Sequence, residues 1–177
     1  LSDRVPMLEH FGFRVIDEDT STVTPAQGSV TFVHDMLLDA EGAVDLADPV
    51  LGEKIENAIL AVWRREAESD GLNALTTLRG LSWDDVEVLR ALTRYLKQVG
   101  IAYSRDYLNA VLARHGEVAE ALVKLFHALN DPHYAGHRER SVTQARETIA
   151  AAIDATTSLD EDRILRRLLN LVEARRP

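Results

Sequence analysis

"SWDDVEVLRALTRYLKQVG", residues 82–100, decides what kind of fold this chain makes. Ser82 can cap a helix with its side-chain oxygen, and Asp85, three residues on, is a weak capping-box partner. Val86, Leu89, Leu92, Leu96 and Val99 then recur at intervals of three and four, which aligns them on one helical face. Gly100 stops the pattern. Such a helix has to bury its stripe against other helices, and the sequence on both sides supplies them.

Downstream, Ser104 caps a helix expected to reach His115, with Gly116 as its stop. Residues 117–131, "EVAEALVKLFHALND", put Val118, Leu122, Leu125, Phe126 and Leu129 on one face of a further helix. "PHYAGHRER", 132–140, reads as a loop. Residues 138–157 are helix-prone but only weakly apolar, through Val142, Ala145, Ile149 and Ile153. Ser158 and Glu161 form a capping box ahead of Ile164, Leu165, Leu168, Leu169 and Val172. Acidic residues in the first turn of that helix and Arg175-Arg176 in its last suit the helix dipole.

Upstream, Asp48-Pro49 is an N-cap followed by a proline where its missing N–H costs nothing. Val50, Leu51, Ile55, Ile59, Val62 and Trp63 continue at helical spacing, and Asp70-Gly71 is expected to end the helix. Leu72, Leu75 and Leu78 form a short apolar piece that closes at Gly80. Before Asp48 the pattern changes. "DRVPMLEHFG" predicts a short helix stopped by Gly12, "FRVI" a strand over 13–16, and "VTFVHDMLL" a second strand over 30–38, with a polar connection between them. Two strands alone are marginal, so partner strands are expected from preceding sequence. The fold class expected is therefore mainly α with a small α/β N-terminal piece.

Composition narrows the function. The net charge of −9 disfavours a phosphate backbone as partner, so no nucleic acid is expected. The absence of cysteine excludes disulfides and thiolate metal sites and suits a reducing cytoplasm. No apolar run approaches the ~20 residues of a membrane span, and no charged-then-apolar signal segment is present, so no membrane partner is expected. The chain begins at Leu1 rather than methionine and ends at Pro177 directly after a helical stretch, and the expectation is a piece of a longer polypeptide.

Candidate chemistry is sparse. His133 and His137 stand four apart with His127 nearby, a spacing that binds metal only on a helix, whereas Pro132 and Gly136 argue for a solvated loop. No two of the nine glycines make a GxG pair, and no GK[ST], nucleophile-elbow or HExxH pattern occurs. Arg163, Arg166, Arg167, Arg175 and Arg176 could hold phosphate, but Glu161, Asp162 and Glu173 intersperse them, so a solvated face is expected. In "AVWRREAESDGLNAL", 61–75, Trp63 falls on the apolar stripe and is expected in the core. Arg64 and Glu68, four apart, are expected to pair across a solvated helix face, worth a few tenths of a kcal/mol. No catalytic, cofactor-binding or metal residue is assigned.

Several segments together carry a resemblance. "LAVWRREAESDGLNAL" (60–75), "GLSWDDVEVLRALTRYLKQVGIAYSRDYLNAVLARH" (80–115) and "LVKLFHALNDP" (122–132) resemble the large bacterial NAD-dependent glutamate dehydrogenases. "SLDEDRILRRLLNLVEA" (158–174) is similar to the segment leading into their catalytic core, and "VPMLEHFGFRVIDE" (5–18) to the end of their ACT-like regulatory region. The most specific parts are 160–171 and 82–98. The resemblance implies 1–46 as the end of an ACT-like α/β module and 47–177 as a helical bundle connecting to a catalytic domain beyond the chain. It also implies NAD as the parent enzyme's cofactor, none bound to this segment, and as partners the remainder of the polypeptide in a cytoplasmic homo-oligomer. The family's catalytic residues lie outside this sequence, so the segment itself is expected to be non-catalytic. Two rivals stand beside this: a free-standing helical module that binds a partner in an apolar groove, and an enzyme complete in these residues.

Overall fold

The computed structural model describes residues 4–40, 42 and 44–174. It opens with helix α1 (Arg4–His10), turned by Gly12 at φ 79° into strand β1 (Phe13–Val23), which pairs antiparallel with β2 (Thr31–Ala40). Helix α2 (Pro49–Trp63) follows. A 3₁₀ turn (Gly71–Asn73) runs into α3 (Ala74–Arg79), and then come α4 (Trp83–Gln98), α5 (Arg105–Arg114), α6 (Gly116–Asn130), α7 (Arg138–Ala155) and α8 (Leu159–Glu173). The expectation of a mainly α chain with a small α/β start is met.

The helix starts are those the capping chemistry predicts. Asp48 accepts from the Val50 N–H with Pro49 in the first turn, Ser82 and Asp85 form a reciprocal box, and Ser104 and Ser158 each accept from the N–H three residues on. The box expected of Ser158 and Glu161 is only half formed, because the Glu161 carboxylate turns to Arg114 and His115 instead. Three expectations need correction. First, β1 does not stop at residue 16; it continues through the polar run to Val23, because each residue there finds a cross-strand partner, as far as Val23 opposite Thr31. Ile16 is an extra residue between Val15 and Asp17, a bulge that resets the register. Second, Gly116 does not stop α5. His115 ends that helix and Gly116 is the first residue of α6, so the two helices meet at a corner without a loop. Third, α2 ends at Trp63, seven residues before Asp70.

Two apolar clusters result. The larger is the helical bundle, where Leu89, Leu108, Leu112, Leu122, Leu125, Ile149, Ile164, Leu165 and Leu168 are fully enclosed. The smaller lies between α1, the base of the hairpin and α2, built from Met7, Leu8, Phe11, Phe13, Ile55 and Ala58. Trp83, at the start of α4, packs against the smaller cluster while the rest of its helix lines the larger one. Arg175-Arg176, expected at the end of the last helix, lie outside the described residues.

Candidate functional site: a buried arginine at the link

Residues 64–70 join the small cluster to the bundle, and their backbone geometry explains why α2 ends early. The Glu66 N–H donates to the Ala61 carbonyl (2.9 Å) and the Arg65 N–H to that of Val62 (3.0 Å), which is a Schellman ending. That motif places Arg65 in the left-handed region, at φ 62°. Glycine is the residue usually found there, so an arginine hides this stop from a sequence reading.

The link then runs to Asp70, which begins the next helix instead of ending the last. Its side chain accepts from the Leu72 N–H at 3.1 Å, and Asn73 Oδ1 accepts from the Asp70 N–H at 2.8 Å. Asp70 also accepts a two-pronged contact from Arg90 of α4. Arg90 Nε donates to Asp70 Oδ2 at 3.0 Å and Nη2 to Oδ1 at 2.9 Å. Arg90 is completely enclosed. Its remaining donors reach the Glu68 carbonyl and Asn73 Oδ1, both at 3.3 Å, and the Glu87 carboxylate. Asn109 of α5 donates to Asp70 Oδ2 at 3.3 Å. A buried guanidinium stays where its planar fork is met by acceptors on several sides, and here they come from the link, from α4 itself and from the 3₁₀ turn.

The electrostatics follow from this geometry. Burial pushes the Asp70 carboxyl up, but the bonds and charge of Arg90, the Leu72 N–H and the charge of Arg105 outweigh it and hold the group below its ordinary value. Burial likewise works against the Arg90 charge and is overcome by Asp70 and Glu87, which raise its pKa further. Both groups stay charged, and every nitrogen of the guanidinium and both carboxylate oxygens are bonded inside the hub, so it serves as a fastening.

The neighbours of Asp70 fasten the same link elsewhere. Glu68 is bound by Arg94 and lies 3.5 Å from Arg105, and Ser69 shares a hydrogen bond with His10 of α1 at 2.9 Å. Three consecutive residues thus tie the link to α1, α4 and α5. A second clasp joins α8 to the α5–α6 corner. His115 Nε2 donates to Glu161 Oε2 at 2.8 Å, and Arg114 binds the other oxygen. The bond from His115 lowers the Glu161 pKa most, burial opposes it, and the Arg114 charge adds to the lowering.

The residues singled out by sequence fare unevenly. Trp63 is not core: it is 58% exposed, with the Arg4 guanidinium 5.6 Å from the centre of its ring. Its stripe is apolar by spacing, but at this last turn of α2 the described residues leave more than half of the indole uncovered. The Arg64–Glu68 pair does not form, because the helix has already ended and Glu68 turns to Arg94. His133 and His137 lie outside helices, in the turn before and at the cap of α7, and His127 is paired with Asp85 at 2.9 Å. Among the described residues no group of three or more metal-ligating side chains gathers. Arg166 is bound to Asp162 one turn earlier. No motif marks Arg90 in the sequence. It lies four residues after Val86 and three before Thr93, and a charged residue on the flank of the apolar stripe is the one signal it gives.

No helix among the described residues is long and apolar enough to cross a membrane.

Residues 1–49 match the family described as glutamate dehydrogenase, ACT3 domain, and residues 67–132 the one described as glutamate dehydrogenase, helical motif 3. The second match begins inside the link and contains Asp70, Arg90 and Asn109. An NAD-specific glutamate dehydrogenase of Mycobacterium tuberculosis is 36% identical over 180 residues, covering 98% of this chain. Those of Halomonas elongata and Pseudomonas aeruginosa are 34% and 33% identical over the same share. The chain spans 11% of the length of each of these relatives. With both family matches in order along it and nearly its whole length aligned to such enzymes, the chain belongs to the NAD-specific glutamate dehydrogenase family, of which it carries the ACT3 and helical motif 3 regions.

Proposed function

We propose that this chain is a non-catalytic structural and regulatory segment of an NAD-dependent glutamate dehydrogenase, a homo-oligomer of the cytoplasm. The whole polypeptide would convert L-glutamate, NAD and water to 2-oxoglutarate, ammonia and NADH. Residues 1–46 are the end of an ACT-like module and 47–177 a helical connector leading to the catalytic domain. The observation that carries this reading is the fastened link. Glu68, Ser69 and Asp70 hold α1, α4 and α5 together through directional bonds, so a displacement of the N-terminal unit is passed to the bundle. Coupling of this kind requires a joint that transmits force instead of absorbing it.

The test uses the full polypeptide with Asp70→Ala. Removing the carboxylate strands a buried guanidinium, a loss of about 3–5 kcal/mol at such sites. Calorimetry is expected to show a low-temperature transition split from the main one, while the KM values for glutamate and NAD stay unchanged. Loss of substrate binding with an unaltered melting profile would refute a connector role. The 177-residue chain mixed with NAD and glutamate is expected to form no NADH, and steady turnover by it would overturn the reading outright.

A further inference from the structure

Helices α6 and α7 pack side by side, yet Ala121 of one and Ala145 of the other, both buried, are too small to close the space between them. A cavity of about 430 Å³ lies there, and Arg79 from the end of α3 forms part of its wall. The place of Arg79 is built into the fold. A Cβ on Gly116 would stand 3.0 Å from both Cγ and Cδ of Arg79, so the arginine stem rests on a bare α-carbon. Gly116 has no left-handed backbone that calls for glycine, and the close approach of Arg79 accounts for it instead.

From this seat Arg79 Nη2 donates to Glu120 Oε2 at 2.7 Å, and Lys124 Nζ donates to the other oxygen at 2.6 Å. One carboxylate thus serves two cations. Burial pushes the Glu120 carboxyl up, but the bonds and charges of Lys124 and Arg79 outweigh it and hold the group below its ordinary value. Donors are left over. Nε and Nη1 of Arg79, two N–H groups of Lys124 and the hydroxyls of Ser141 and Tyr134 make no hydrogen bond among the described residues. Tyr134 is itself held, with the Arg138 guanidinium 5.7 Å from the centre of its ring.

From this surplus of donors we infer that the α6–α7 cavity binds a small polar carboxylate, whose oxygens meet Arg79 and Lys124 while its body faces Ser141 and Tyr134. A guanidinium fork matches a carboxylate in plane and spacing. Glu117, exposed on the same lining, limits the charge of the ligand, because with Glu120 it repels a doubly charged anion more than a singly charged one.

The test titrates glycolate into the 177-residue chain at mildly alkaline pH, with inorganic phosphate and chloride for comparison, and follows amide and arginine side-chain shifts by NMR. Saturable shifts at Arg79, Ala121 and Ala145 are expected with glycolate, weaker binding with phosphate and none with chloride. R79A is expected to weaken glycolate binding roughly tenfold. G116A is expected to weaken it as well, by lifting the Arg79 stem off its seat, with no fall in Tm because alanine suits a helix better than glycine. E120Q frees both cations and is expected to tighten binding several-fold. E147Q removes the same charge from α7 outside the cavity lining and is expected to change nothing. Any one of four results would overturn the inference: no saturable shifts, phosphate bound as tightly as glycolate, R79A or G116A titrating like the parent chain, or equal tightening by E120Q and E147Q. A failed connector role would instead appear in the melting profile of the Asp70→Ala enzyme and leave these titrations unchanged.

Discussion

Arg65 and Arg90 are both arginines placed where a sequence reading expects something else, and they differ in what can replace them. Arg65 is exposed and takes a left-handed backbone that costs a non-glycine residue about 1–2 kcal/mol. Arg65→Gly relieves that cost while loosening the unfolded chain, and the net expectation is a gain of roughly 0.5 kcal/mol in urea unfolding. A clear loss of stability would show that the Arg65 side chain makes a contact worth more than the strain. Arg90 has no such freedom. Its fork meets acceptors in several directions, and a lysine would put one compact charge where the site holds a plane of donors.

At the scale of elements, the legible features were those set by local chemistry. Ser82 with Asp85, Ser104, Asp48-Pro49 and Ser158 each marked a helix start, because a cap is a bond between near neighbours. Features that depend on distant partners were hidden. Thr20, Ser21 and Thr22 read as loop and become strand only because His34, Val33 and Phe32 lie opposite. The fastened link was invisible for the same reason: Asp70 and Arg90 stand twenty residues apart and nothing local connects them. The clasp between α8 and the α5–α6 corner is of this hidden kind too, and it titrates. Glu161 has its pKa lowered from an ordinary 4.5 in the folded state, so the unfolded chain takes up its proton first as pH falls. The clasp's contribution is therefore complete above that ordinary value and is lost on descending through it toward the folded one. Urea midpoints followed from about pH 7 to about pH 3 are expected to fall more steeply in the parent chain than in Glu161→Gln, which keeps the shape and lacks the charge. Identical slopes would mean the clasp is not linked to folding.

At the scale of the molecule, the two apolar clusters predict two levels of stability. Leu122 is fully enclosed in the bundle and Phe11 in the smaller cluster. Leu122→Ala is expected to cost about 2–5 kcal/mol and to speed amide exchange across α4–α8. Phe11→Ala is expected to speed exchange across α1 and α2 and to leave the bundle's slowest amides unchanged. Acceleration of every slow amide by both variants would instead mark one cooperative unit. The joint between the clusters consists of polar bonds, while Trp83 supplies the apolar contact that spans it.

The enclosed guanidinium also bears on how so long a chain avoids assembling wrongly. Helices α4, α6 and α8 each carry an apolar face, and greasy faces discriminate poorly among one another. A helix carrying Arg90 in its buried flank can dock in comfort only against a segment that presents Asp70, Asn73 and a free carbonyl in the right places. Any other match leaves a charge stranded away from water at a cost of several kcal/mol. The arginine thereby makes wrong pairings of α4 costly as well as the right one favourable.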